Sequence, residues 1–394
     1  MPNRNADQNP AFPRRRTNPV GDSLLNANVD AALAVPTSKH ASFMTKPKRL
    51  SQSAIAKATG LSRATVSLVL RGGTGPSEAT QTKVLSAAKR LGYQPNDLVH
   101  SIRSGKSRTV GVLAEPHDSY WRDVCYGIHD RLIESNHLPL FLWHNHQTVS
   151  EEYARQQIHR LLSRWVDGVI LWPFFANIYA KHLHEFQTRN IPLVIIDHTI
   201  PGTEADVVES DESQIAAQIV AHLRTLNHRH FLIVSGPLHI GWADNRAQSI
   251  RNELEKHAGV TAQELRVPQP SSIPSESKEL AEVSRMIAER LHQQPQITAV
   301  IACTDIIAQS VYDAAHALAW SIPNRLSVVG VADLNFAEVM SPALTTVRQN
   351  GYTIGRQAAQ VELERSAGLL TGPSRLFQVE TTLVSRQSTA VASH

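Results

Sequence analysis

The sequence predicts two modules in series, a small all-α unit with helix-turn-helix geometry and a larger α/β unit built on parallel sheets. Three observations carry this prediction. The 394 residues have a formal net charge of only +4, yet residues 46–108 hold 12 Lys and Arg against Glu78 and Asp97, while residues 109–394 carry an excess of acids. A basic block joined to an acidic one points to nucleic acid or another anionic surface as partner of the small unit. Three short helix signals follow one another between Leu50 and Tyr93. Beyond Arg108, short Val/Ile/Leu runs alternate with longer helical segments, the texture of parallel strands covered on both faces.

Residues 1–45, rich in Pro, Asn, Ser and Arg without sustained periodicity, read as a disordered extension that cannot form a core. In the first helix Ile55, Ala58 and Leu61 lie near helical spacing, Ser51 is placed to cap it, and Gly60 supplies the left-handed turn that ends it. Ser62 caps the second helix. There Val66, Val69 and Leu70 form the inward stripe, while Arg63, Ser67 and Arg71, with Ala64 and Leu68 beside them, form the opposite face. Ser77 caps a third helix with Val84, Ala87, Ala88 and Leu91 inward and Lys83, Lys89 and Arg90 outward. Two helices across a glycine turn, the second presenting Arg and small side chains, have the geometry that lays a helix in a major groove.

The apolar runs of the larger unit are TVGVLAE, LPLFLW, DGVILWPF, IPLVIID, HFLIVSGP, TAVIACTD and LSVVGVAD. They predict a doubly wound region whose ligand site lies beyond the carboxyl ends of the strands, at residues such as Trp172, Asp197, His198, Thr304 and Ala332. Two distant cysteines, Cys125 and Cys303, give no disulfide framework and fit a reducing, cytoplasmic setting. No apolar run approaches the ~18 residues of a membrane span, so no membrane association is expected. The pairs His144/His146, His182/His184 and His228/His230 read as solvated or hydrogen-bonding histidines. No HExxH, CxxC, G-x-S-x-G or phosphate-loop motif accompanies them. An enzyme is therefore not expected, nor a metal or cofactor.

The segments AIAKATGLSRATVSLVLRGG, GYQPN and HSIRSGKSRTVGVL resemble, in order and spacing, the start of lactose-repressor (LacI/GalR) family transcription regulators. VDGVILWP, IPLVIID, LSVVGVADLNF and the closing LVSRQST agree, so the resemblance runs from about Leu50 to Thr389. It implies a helix-turn-helix headpiece over 46–95, a hinge helix and linker over 96–108, and a two-lobed core like the periplasmic sugar-binding proteins over 109–390. The N-lobe is expected at about 109–208 with 350–371, and the C-lobe at about 209–349 with 372–390. On this resemblance Arg63, Ala64 and Leu68 take base-reading positions, while Ser62, Thr65, Ser67 and Arg71 suit phosphate contacts. Leu68 stands where Arg or His is common in the family, which exchanges a hydrogen-bonding reader for one suited to a thymine methyl. Asn96, Ile102 and Arg103 fall in the hinge, with Ile102 as the apolar minor-groove wedge.

In the core the resemblance implies an effector cleft at Tyr120, Trp121, Trp172, Asp197, His198, Arg246, Thr304 and Ala332, with Arg246 reaching in to face Asp197. Family members often have Asn-Asp where Thr304-Asp305 stand and an acid where Ala332 stands, so one strong acceptor is lost here. The expectation is a sequence-specific regulator, a repressor in sign, that binds double-stranded palindromic operator DNA as a homodimer under control of a sugar-like or related small-molecule effector. No heptad pattern follows LVSRQST, which favours a dimer over a tetramer. The alternative is a cytosolic small-molecule-binding protein with no role at DNA.

Overall fold

The computed structural model describes residues 51–71, 73–93, 105–143, 150–173, 176–238, 240–268 and 277–393. The expected extension over 1–45 and the hinge positions Asn96, Ile102 and Arg103 lie outside them, as do His144 and His146. The chain divides into two compact units at Pro95/Asn96.

In the first unit α1 (Gln52–Thr59), α2 (Arg63–Leu70) and α3 (Glu78–Leu91) close around Ile55, Val66, Val69, Val84, Ala87 and Ala88. Gly60 ends α1 at φ 66°, its N–H on the Ala56 carbonyl. Ser62 and Ser77 cap the next two helices, their hydroxyls accepting from the Thr65 N–H at 3.0 Å and the Thr80 N–H at 3.4 Å. Ser51 occupies the capping position of α1 but its side chain makes no capping bond. Its own carbonyl instead takes the Ala54 N–H at 2.9 Å, so the first turn is closed by backbone rather than by side chain.

The second unit holds two six-stranded sheets. The first contains β1 (Thr109–Leu113), β2 (Leu138–Leu142), β3 (Gly168–Leu171), β4 (Leu193–Ile196), β5 (Asp206–Ser210) and β11 (Leu376–Val379) in the order β11-β5-β4-β3-β1-β2, all parallel. The second contains β6 (His230–Ser235), β7 (Thr261–Arg266), β8 (Ala299–Ala302), β9 (Ser327–Ala332), β10 (Thr345–Gln349) and β12 (Thr381–Val384) in the order β12-β10-β9-β8-β6-β7. Only β12 runs antiparallel there. The central strands are buried on both faces, as their continuous apolar runs require.

Crossover helices α4 (Ser119–Glu134), α5 (Glu151–Ser163) and α6 (Ala176–Gln187) serve the first sheet; α7 (Glu212–Thr225), α8 (Gly241–Glu255), α9 (Ser277–Gln293) and α10 (Asp305–Ala317) serve the second. The last helix, α11 (Gly351–Ser366), returns to pack on α4 and on β3, β4 and β5. The two helices meet backbone to backbone: a Cβ on Gly127 would overlap the Tyr352 carbonyl, and one on Gly355 the Val124 carbonyl.

The chain therefore crosses between lobes three times, after β5, after β10 and after β11. The last crossing corrects the expected lobe boundary, because residues 376–379 pair with β5 in the first sheet rather than joining the C-lobe. Buried Asp206 explains the placement. Its carboxylate holds Arg365 of α11 through Nε at 2.6 Å and Nη2 at 2.8 Å, and accepts the Arg375 N–H at 2.9 Å just before β11.

Candidate functional site

Two regions carry the residues singled out by the sequence. In the first unit, Ser62, Arg63 and Ala64 lie exposed at the amino end of α2, where unsatisfied backbone N–H groups also point. The Ser62 and Thr65 hydroxyls bond each other at 2.9 Å, which fixes the first turn. Lys57, Arg63, Arg71, Lys83, Lys89 and Arg90 are all exposed, against the single acid Glu78 among the described residues of this unit.

Two expectations for α2, those for Ser67 and Leu68, need correction, and Arg71 gains a second role. Ser67 is only 9% exposed; 100° round the helix from Val66, it flanks the buried stripe instead of facing away from it. Arg71 forms the carboxyl cap of α2 and folds its Nε back onto the Ser67 carbonyl at 2.9 Å. Leu68 is half-buried, its side chain lying against Gly73, whose N–H bonds the Leu68 carbonyl at 3.0 Å. The side chain that sequence reasoning aimed outward thus also seals the turn after α2.

In the second unit the strand ends converge on one cavity of about 70 Å³. From the first sheet, Tyr120 and Trp121 enter on the first turn of α4, which Asp118 caps by accepting the Trp121 N–H at 2.8 Å. Trp172 follows β3 and stacks on Trp121 with centroids 4.0 Å apart and on His117 at 5.1 Å. Tyr120 stands edge-on to Trp121 at 5.3 Å. Its hydroxyl is buried without a hydrogen-bond partner among the described residues. Burial and then the Asp197 charge raise its pKa well above the usual tyrosine value, so it stays protonated. Asp197 follows β4 at φ 85° and is 9% exposed.

From the second sheet come Trp242 and Arg246 on α8, Thr304 at the amino cap of α10, and Ala332 at the end of β9. Thr304 accepts the Ile307 N–H at 3.2 Å. Asp305 beside it is fully buried and grips the loop after β9, accepting from the Leu334 N–H at 2.7 Å and the Thr346 hydroxyl at 2.6 Å. Burial pushes its carboxyl up to about 6. Asp333 turns away from the cavity and is held by Arg348 and Arg386 at 2.7 Å each, so it does not replace the acid absent at Ala332.

Seven of the eight expected cleft residues line this cavity. His198 does not. It is fully buried behind Asp197, with its ring packed against Gly241 at the start of α8 and its Nδ1 4.0 Å from the Asp197 carboxylate. Arg246 lines the cavity but is already engaged: Nε and Nη2 donate to Glu212 at 2.9 and 2.6 Å, and Nη1 to the Cys303 carbonyl at 2.9 Å. Burial opposes its charge, but the Glu212 carboxylate outweighs this and lifts the guanidinium pKa. Sequence reasoning missed Glu212, His117, Asp118, Trp242 and Gln349. The available signal was position, since each lies within a few residues of a strand's carboxyl end or a helix start. A more open depression at Arg155, Gln156, His159, Arg160 and Ser163 lies on the outer face of α5, where Arg155 is already paired with Glu152. It gathers no comparable convergence.

Among the described residues no group of three or more His, Cys, Asp or Glu is arranged to hold a metal ion, and no helix is long and apolar enough to cross a membrane.

Comparison with known proteins bears on both regions. The family described as "Bacterial regulatory proteins, lacI family" matches residues 53–96, and a periplasmic binding protein-like domain matches residues 220–389. A probable HTH-type transcriptional regulator, EndR of Paenibacillus polymyxa, is 27% identical over 317 residues, covering 79% of this chain and 89% of that protein. The HTH-type transcriptional repressor PurR of Proteus mirabilis is 26% identical over 340 residues, covering 85% and 96%. In fold the chain is similar to the lac repressor dimer bound to operator and the anti-inducer ONPF, with TM-score 0.74 and 20% identity over 87% of this chain and all of that one.

Proposed function

The chain belongs to the lacI family of bacterial regulatory proteins, a DNA-binding regulator rather than an enzyme, and from that premise we propose that it is a cytoplasmic transcriptional repressor that binds a palindromic operator as a homodimer and answers to a small molecule held in the inter-lobe cleft. The observation that carries the reading is the pairing, in one chain, of an exposed cationic helix start at Ser62–Ala64 with an aromatic cavity lined from both sheets. Arg63 and Ala64 reach base edges; the Ser62 and Thr65 turn sets register on the phosphates. Ile102, between Asn96 and Arg103 in the hinge, acts as the minor-groove wedge. Two copies related by a two-fold axis place two α2 helices about one helical turn of DNA apart, which gives a palindromic site.

Control follows from the three crossings. A ligand that touches Trp121, Trp172 and Asp197 on one lobe and Trp242 and Arg246 on the other binds the closed arrangement better, and shifts populations only by that difference. The change reaches the headpiece side through residues 105–108. There the Asp167 carboxylate accepts the backbone N–H groups of Ser107 and Arg108 at 2.8 and 2.7 Å, and Lys106 donates to the Ser366 carbonyl at 3.0 Å. Selection of bound duplexes from a randomised library, followed by sedimentation of the complex, tests the reading. The expected result is a symmetric site with half-sites about 10 bp apart carrying two protein chains. Recovery of unrelated sequences at low salt would overturn it.

A further inference from the structure

We propose that the ligand of the inter-lobe cleft is a small organic cation, an ammonium or amidinium group on a planar or apolar body, rather than a neutral polyol or an anion; this rests on the reading of the cleft as the effector site. The charges at the cavity do not balance. Glu212 takes Nε and Nη2 of Arg246, and the remaining protein contact of that guanidinium goes to the Cys303 carbonyl. Asp197, on the cavity wall and 9% exposed, receives no side-chain hydrogen bond among the described residues; the nearest cationic candidate, His198 Nδ1, is 4.0 Å away. A buried carboxylate without a donor is costly. A ligand that brings positive charge and N–H donors to it removes that cost.

The surroundings add to the imbalance. Asp118 also lines the cavity, and the His117 ring beside it is turned toward that carboxylate at 3.6 Å. Glu209, outside the cavity lining, places a further carboxyl near Asp197 and Glu212; burial pushes it up to about 7, so at neutral pH it adds only part of a charge. An anion entering here meets two acids on the cavity wall, Asp118 and Asp197, and one already chelated guanidinium. A neutral polyol can donate O–H groups to Asp197 but brings no positive charge to it, and finds no acceptor at Ala332. The walls suit a cation in a second, independent way. Trp121, Trp172 and Trp242 line the cavity, and Trp242 already carries a guanidinium, that of Arg246, 5.6 Å from its ring centroid, as the negative quadrupole of an indole favours. The buried, unpartnered Tyr120 hydroxyl offers an acceptor for a second N–H.

The test uses the full chain and three probes of nearly equal shape, 2-phenylethylamine, 2-phenylethanol and phenylacetate, measured by calorimetric titration at pH 7. The amine is expected to bind at least about tenfold more tightly than the alcohol, with phenylacetate weakest. Asp197→Asn should reduce the amine-to-alcohol ratio to less than about threefold, and asparagine tolerates the left-handed backbone at this position. The wild-type series decides alone if that variant does not fold. Alcohol or acid binding as tightly as the amine, or no amine binding at millimolar concentration, overturns the proposal. If the alcohol or acid binds best and Trp121→Ala abolishes it, the cleft is a ligand site of another chemistry. If Trp121→Ala changes binding of no probe, the cleft reading itself fails.

Discussion

Helix α2 and the inter-lobe cleft are built on opposite terms. The amino end of α2 is a handful of exposed side chains on eight consecutive helical residues, and little of the unit's core depends on them. The cleft is assembled from strand ends spread over more than 200 residues of chain, and Arg246 on its wall is buried, paired with Glu212 and tied to the packing around it. The exposed side chains of the first can be changed without unfolding anything, whereas the buried pair of the second is part of what holds its lobe in shape. Each variant below is a way to break that contrast or to measure it.

The largest effect is expected at Glu212. Arg246 is 3% exposed, and Glu212→Ala leaves its guanidinium buried without its carboxylate, a change that costs about 3–5 kcal/mol. Urea unfolding of the larger unit should register this loss. A change below about 1 kcal/mol would mean that the pair is solvated and the cleft is not structural in this sense.

Arg63→Ala comes next and should show the reverse pattern. Stability should stay within about 0.5 kcal/mol because the side chain is exposed. Affinity for the selected operator should fall by about 1–3 kcal/mol, with relaxed preference at one base position per half-site. Parallel melting and anisotropy titrations separate the two. Ser62→Ala is smaller: it removes the acceptor of the Thr65 N–H, which costs about 1 kcal/mol of headpiece stability, and affinity should fall only as far as the first turn of α2 frays. Arg71→Ala should be smallest, weakening all duplexes alike and flattening the salt dependence by about one unit if its guanidinium reaches a phosphate. An unchanged slope would leave Arg71 as the carboxyl cap of α2 alone, the role its bond to Ser67 already supports.

The same contrast explains what was legible in the sequence. The headpiece is local, so caps at Ser62 and Ser77, the turn at Gly60 and the stripe of Val66 and Val69 could be read from neighbouring residues. Its misread positions, Ser67 and Leu68, sit on the flank of the helix, where burial depends on Arg71 and Gly73 beyond its end. In the core, the seven strands with continuous apolar runs were legible. Strands β5, β7, β10, β11 and β12 were not read from the apolar pattern, because their residues are short, Thr-rich or acid-bearing segments, several at sheet edges where a face meets solvent. Among cleft residues, Trp172, Asp197, Thr304 and Ala332 were readable as strand ends. The pairing of Arg246 with Glu212 was not, since 34 residues separate them and only the packing of α7 on α8 brings them together. His198 was misplaced because consecutive residues beyond a strand turn to opposite sides.

The measurement that bears most directly on the function is the affinity of the full chain for its selected duplex against a scrambled duplex of the same length and composition, at one fixed salt concentration. Reading by α2 predicts a ratio of at least about a thousandfold, largely lost in Arg63→Ala while the scrambled duplex is bound nearly as before. Equal affinity for the two duplexes would contradict the account, leaving a basic headpiece that binds DNA by charge and reads no sequence.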